Sequence, residues 1–321
     1  MKKINTDVLI VGAGPVGLFS VFELGQLGIK SCIVDCLNEI GGQCSALYPE
    51  KPIYDIPAYP VINAQELILN LNKQIKPFNP EVLLSQQVEK IIDLDNSFKV
   101  FTSNNIEIST KCIFIAAGNG AFGPNKPPIE NIEKFEDKSV FYSVKNKSIF
   151  DNKTVAIAGG GDSAVDWAIE LSKNAKKIFF IHRREKLRAE KILQKRLFDN
   201  NKIEIIWNSK VNKILGENNP QKVTGVELEN LIDSKIVKLS IDGVFVAIGH
   251  SPNTKLFKDK VIMDEENYII TKEDSTKTNI NGVFACGDVQ DKIYRQAVTA
   301  AGTGCMAALE VDKYLSEQEY N

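Results

Sequence analysis

Residues 155–188, VAIAGGGDSAVDWAIELSKNAKKIFFIHRREKLR, read in order as strand, glycine turn, helix and second strand. The turn is Gly159-Gly160-Gly161-Asp162-Ser163-Ala164, a G-x-G-x-x-A pattern. Such a turn lets a pyrophosphate approach backbone N–H groups at a helix N-terminus, where the helix dipole favours negative charge. Gly159, Gly161, Asp162 and Ser163 are the candidate contacts. The residues closing the next strand select the ribose: an acid accepts from a free 2′-hydroxyl, whereas arginines pair with a 2′-phosphate. Here the strand closes on His182-Arg183-Arg184, with Arg188 four residues on. The segment therefore reads as an NADPH site, with His182 a neighbour of the phosphate rather than a general base.

Moving towards the N-terminus, residues 7–11 (DVLIV) run into Gly12-Ala13-Gly14-Pro15-Val16-Gly17. A helical pattern follows to Leu27, and a second strand is expected over 31–35, ending in Asp35. Strand, G-x-G-x-x-G turn, helix, strand and acid about 20 residues on form a dinucleotide fingerprint. Gly12, Gly14, Pro15, Gly17 and Asp35 are its candidate contacts. Asp35 calls for a dinucleotide with a free 2′-hydroxyl. Two motifs of opposite ribose preference, 147 residues apart, imply FAD in the first and NADPH in the second. Residues 113–118 (IFIAAG) and 244–249 (VFVAIG) are similar strand-to-glycine segments, one after each module. They mark crossings between two domains, predicting an α/β fold of two Rossmann-like dinucleotide-binding domains with the NADPH domain inserted into the FAD domain. The expected boundaries are 1–118 and 250–321 for the FAD-binding domain and 119–249 for the NADPH-binding domain.

Near the other end, residues 281–289 (NGVFACGDV) form an apolar strand running into Gly287-Asp288. Asp288 suits the ribityl hydroxyls of a flavin, with Gly287 permitting close approach. It equally suits the N-cap of the helix-like run that follows.

Composition narrows the partners. The net charge of −2 excludes a wholly basic nucleic-acid binder. It hides an asymmetry, since residues 145–202 hold fourteen Lys/Arg against seven Asp/Glu and carry +7. A basic lobe on an acidic body attracts NADPH or an acidic protein partner, or is simply a solvated surface. Six cysteines, at 32, 36, 44, 112, 286 and 305, contain no C-x-x-C pair, which argues against both a secreted disulfide framework and a metal site. No apolar run reaches the ~18–20 residues that span a bilayer. The expected location is cytoplasmic, with no membrane association.

His182-Arg183-Arg184-Glu185-Lys186-Leu187-Arg188-Ala189-Glu190 resembles the 2′-phosphate signature of the thioredoxin-reductase branch of two-dinucleotide flavoproteins. Gly287-Asp288, Tyr294-Arg295-Gln296-Ala297 and Ala301-Gly302-Thr303-Gly304 resemble that branch's C-terminal flavin segment. The resemblance implies that Arg183, Arg184 and Arg188 grip NADPH, that Asp288 holds the ribityl chain, and that Arg295, Gln296 and Ala297 lie by the isoalloxazine. The sulfur chemistry of that branch is missing. Its C-x-x-C window is here Tyr142-Ser143-Val144-Lys145, and Pro49 stands where a C-x4-C beginning at Cys44 needs its second cysteine. Passing two electrons from flavin to a disulfide by exchange requires a dithiol.

Residues 41–60 (GGQCSALYPEKPIYDIPAYP), 117–124 (AGNGAFGP) and 159–167 (GGGDSAVDW) resemble instead the thioredoxin-reductase-like class of ferredoxin (flavodoxin)–NADP reductases. By that likeness Gln43 contacts the flavin, Tyr48 stacks on the isoalloxazine, the Val88 backbone pairs with adenine and Phe122 packs beside the cofactor. Tyr48 and Phe122 also suit an apolar core, and Val88 a buried strand. Members of the class usually carry a tail covering one flavin face. Here the helix-like run 300–315 is followed by Ser-Glu-Gln-Glu-Tyr-Asn, so that cover is not expected from such a tail. The implied activity is electron transfer between NADPH and ferredoxin or flavodoxin, by hydride transfer to flavin N5, in a homodimer. The rival readings are a disulfide reductase using Cys44 or Cys286, and a flavin redox sensor without turnover.

Overall fold

The computed structural model describes residues 2–118, 127–142, 144, 146–219, 221–247 and 252–319. The chain divides into two compact units, Met1–Phe122 with Ser251–Asn321, and Gly123–His250.

The first unit is built on the strand Lys2–Val11, whose residues Val8, Leu9 and Ile10 are fully buried. A continuous apolar run, rather than an alternating one, is what a strand covered on both faces requires. Ser31–Val34 and Ile106–Ile115 flank it in parallel, and Glu81–Leu83 and Val283–Ala285 extend the parallel part outward. Val88–Leu94 and Ser97–Thr102 add an antiparallel edge. Register pairs Val11 with both Val34 and Ile115, so three strands end level. Their carboxyl ends form the rim at which parallel sheets bind ligands.

One face of this sheet carries the helices Pro15–Gln26, Ala64–Ile75 and Ala297–Glu319. Gly304 lets the last helix meet the first closely, because a Cβ there would lie 2.6 Å from Ser20 Oγ and 3.1 Å from the Val16 oxygen. Glu310 of the last helix accepts from Ser275 Oγ, Thr276 Oγ1 and the Thr276 amide, fastening the return segment to it. The expected strand over 281–289 is shorter, Val283–Ala285, and passes into a 3-10 turn, Gly287–Val289. Because the last helix starts only at Ala297, Asp288 is not its N-cap.

The second unit is a five-stranded parallel sheet ordered Ile203–Ile206, Lys177–Ile181, Thr154–Ala158, Gly243–Val246 and Val140–Phe141. Trp167, on the helix Asp162–Ser172, packs against Phe245 with ring centres 5.3 Å apart. A three-stranded antiparallel sheet, Ser209–Asn218, Gln221–Asn230 and Ile236–Ser240, contributes Val211, Ile214, Val226 and Leu228 to the core that also holds Ala156, Phe179 and Val244. No described helix is long and apolar enough to cross a membrane.

Candidate cofactor sites

A cavity of about 710 Å³ opens at the strand ends of the first unit. Four stretches far apart in sequence meet around it: Gly12, Gly14 and Pro15; Asp35, Gln43 and Tyr48; Val88; and Asp288, Arg295, Gln296 and Ala297. Phe122 lies outside the described residues. Gly17 does not line the cavity. A Cβ there would sit 2.0 Å from the Gly12 oxygen, so this glycine brings the helix onto the strand. Gly14 caps the helix Pro15–Gln26 without a side-chain hydrogen bond, and a Cβ there would meet only Gly42 Cα at 4.0 Å. An uncapped helix start facing open space suits a pyrophosphate. The Asp35 carboxylate accepts from the Ala13 amide at 2.6 Å and the Leu37 amide at 2.8 Å. A carboxylate offers about four acceptor positions, so it retains capacity for a ribose hydroxyl. The glycine cradle, the free helix start, the acid and the cavity size all fit an adenine dinucleotide without a 2′-phosphate.

Arg295, also on the cavity lining, holds a left-handed backbone, φ +50°, which is uncommon outside glycine. The amides of Ile293, Tyr294 and Arg295 all donate to the Asp291 carboxylate, at 2.9, 2.9 and 3.1 Å, and fix that turn. Burial raises the Asp288 carboxyl from 3.8 to about 6; the charge of Asp291 adds to the shift and Arg295 opposes it. A carboxyl raised in the folded state favours folding fully below its unfolded value, and that advantage is lost as pH climbs through about 6. At pH 7.5 the ionised group thus costs the flavin-free protein up to about 3 kcal/mol. Asp288→Asn is expected to raise its thermal midpoint at pH 7.5, with the gain shrinking towards pH 5, while flavin retention weakens. A midpoint gain independent of pH would contradict this origin.

Cys44 and Cys286 also line the cavity. Both are free and buried, and burial pushes their thiols up to about 11 and about 12. Gln86, Gln87, Asn253 and Lys255 are further lining residues that the sequence did not single out. Of these, Gln86 is buried and accepts from Thr102 Oγ1 at 2.8 Å. A polar pair just ahead of Val88 was the available signal, whereas Asn253 and Lys255 lie in a segment without a motif.

In the second unit Gly161 caps the helix Asp162–Ser172, again without a side-chain bond, and a Cβ there would meet nothing within 4 Å. Gly159 has the packing role: its Cβ would lie 2.4 Å from that of Ala164 and 3.0 Å from the Ala247 oxygen. Ser163 is exposed, and the Asp162 carboxylate accepts from the Glu190 amide at 2.8 Å. Arg183, Arg184 and Arg188 are exposed on the loop following the strand Lys177–Ile181. The Arg188 amide donates to the Gly160 oxygen at 2.9 Å, tying that loop to the glycine turn. An open helix start whose glycine turn is tied to a loop carrying three exposed arginines fits a dinucleotide bearing a 2′-phosphate. The His182 ring, by contrast, is buried under the loop.

Residues 6–304 match the pyridine nucleotide-disulphide oxidoreductase family. The chain belongs to this family. It is 46% identical to the ferredoxin–NADP reductase of Ehrlichia canis (strain Jake), over 90% of this chain and 86% of that one. It is 48% identical to the ferredoxin–NADP reductase of Rickettsia rickettsii (strain Iowa), over 89% and 84%. The crystal structure of Lactococcus lactis thioredoxin reductase in its FR conformation superposes with a TM-score of 0.90 at 32% identity, covering 97% of this chain and 99% of that one.

Proposed function

We propose that this chain is an FAD-dependent reductase that moves electrons between NADPH and a one-electron carrier, ferredoxin or flavodoxin. The observation that carries this reading is the state of the sulfur. All six cysteines are free, and the two at the cavity are buried thiols whose raised ionisation leaves little thiolate to attack a disulfide. The relatives named above, both ferredoxin–NADP reductases, support the same activity.

FAD, when bound, supplies the conversion between electron pairs and single electrons. The protein binds and orients. In this reading Gly12, Gly14 and Pro15 admit the FAD pyrophosphate, and Asp35 takes the adenosine ribose. Val88 offers its backbone to adenine, and Asp288 holds the ribityl chain. Gln43, Tyr48, Arg295, Gln296 and Ala297 surround the ring system. Gly161, Asp162 and Ser163 admit the NADPH pyrophosphate, with Gly159 packing the turn beneath them, and Arg183, Arg184 and Arg188 bind its 2′-phosphate. The +7 segment draws in NADPH and an acidic carrier. Val298, Met306 and Leu309, exposed along one side of the helix Ala297–Glu319, support a homodimer through the first unit.

Because Cys44 and Cys286 share one cavity, disulfide reduction is the reading to test against. The test replaces buried Cys32, Cys44, Cys112 and Cys286 by alanine and Cys36 and Cys305 by serine. Flavin retention and most of the NADPH-to-ferredoxin turnover are expected to survive. Lost turnover in a variant that keeps its flavin would overturn the proposal.

A further inference from the structure

The imidazole of His182 lies between two backbone carbonyls. Nδ1 is 2.7 Å from the Gly159 oxygen and Nε2 is 3.1 Å from the Lys186 oxygen. Carbonyl oxygens only accept, so a neutral ring donates to one of them and a doubly protonated ring to both. The residue is 6% exposed, and its ring stands edge-on to Trp207 at 6.1 Å. Its main chain is held as well: the amide donates to the Ile206 oxygen at 3.0 Å, and the carbonyl accepts from the Ser209 amide at 3.1 Å. Gly160, between the two glycines of the motif, is bare because of this ring. A Cβ there would lie 2.1 Å from Cε1 and 2.3 Å from Nδ1.

We propose that His182 is a positioning residue for coenzyme choice, donating from both ring nitrogens. By spanning the Gly159 and Lys186 carbonyls it fixes the arginine loop relative to the glycine turn. This rests on reading the second unit as the NADPH site. Backbone bonds from the Arg188 and Glu190 amides also tether the loop, but burial of its own side chains contributes little. Arg183, Arg184, Glu185, Lys186 and Arg188 are all exposed, and Leu187 is the one buried side chain among residues 183–188. A loop ordered beforehand binds more tightly than one that must be ordered by its ligand. With both nitrogens facing carbonyls, the ring serves the 2′-phosphate through the loop instead of by contact.

Two variants each retain half of the bridge. The amide of His182→Asn reaches where Nδ1 sits, and that of His182→Gln reaches where Nε2 sits. In the flavin-loaded enzyme, NADP+ and NAD+ affinities are measured by calorimetry and amide exchange by mass spectrometry or NMR. Both variants are expected to lower the NADP+ over NAD+ affinity ratio about tenfold, with NAD+ affinity holding within about twofold. The Arg188 amide should exchange faster, while the amides of the strand Lys177–Ile181 keep their protection. If either variant keeps the ratio, the two-sided bridge is wrong. If both coenzymes weaken together, His182 only supports the fold. If the ratio falls while the Arg188 amide stays protected, the ring touches the phosphate directly. Each of these three results overturns the proposal. If neither variant folds, Gly160→Ala displaces the ring with His182 intact and is expected to speed exchange of the Arg188 amide while the strand amides keep their protection; an Arg188 amide that stays protected overturns the proposal. An unaltered enzyme without preference for NADP+ removes the coenzyme reading itself, a failure visible before any variant is made.

Discussion

Gly12→Ala is expected to yield a protein that purifies without flavin or does not fold. Gly12 has φ +118°, a region that residues with a Cβ rarely enter, and its own Cβ would lie 2.3 Å from the Ala116 oxygen and 2.7 Å from the Ala116 carbonyl carbon. Those atoms are backbone and cannot rotate away. The Gly12 amide donates to the Val34 oxygen at 2.9 Å, and Ala116 donates back to the Val11 oxygen at 2.9 Å, so both sides of the clash are held by the sheet. The backbone strain alone is on the order of 1–3 kcal/mol, before the overlap is counted. Gly161→Ala is the control, because its Cβ meets nothing within 4 Å and its φ is −97°. That variant should fold and retain flavin, losing affinity only where a pyrophosphate needs the space. Absorbance at the flavin band after gel filtration checks both. Full flavin content in Gly12→Ala would contradict the placement of FAD at this turn.

Arg183→Ala is expected to raise the KM for NADPH roughly ten- to a hundredfold and to leave that for NADH nearly unchanged. The basis is one charge-assisted hydrogen bond to a 2′-phosphate, worth about 1.5–3 kcal/mol. Arg183 is exposed and has no fold to hold together, so its removal should not disturb flavin content or the unfolding midpoint. Steady-state kinetics with both coenzymes check it. Equal losses for the two would mean that the guanidinium does not select the phosphate.

The two glycine turns, Asp35 and the arginine loop were legible because each is a local pattern with one physical use. What sequence could not give was the meeting of separate stretches. Asp288 and the Arg295 turn reach the cavity only because the strand Val283–Ala285 pairs with Ile106–Ile115 across some 170 residues of chain. The division of labour among glycines was equally hidden. Gly17 and Gly159 are required by packing, whereas Gly14 and Gly161 leave the open space. Sequence offered Asp288 as cap or ribityl partner, and only the late start of the last helix at Ala297 removes the cap. His182 was read as a phosphate neighbour from its place in the chain. Whether a ring at a strand end turns out or in depends on the carbonyls beneath it, and these are not written in the motif. Asp291, which holds the turn carrying Arg295, gave no signal beyond that of an ordinary turn aspartate.

The most direct measurement sets ferredoxin, flavodoxin and thioredoxin side by side as acceptors for the flavin-loaded enzyme, with NADPH as donor. Turnover with ferredoxin or flavodoxin, and none with thioredoxin above the rate of the flavin alone, is the result expected of an enzyme with no working thiol pair. Thioredoxin reduced at a rate matching that of the one-electron carriers would contradict it.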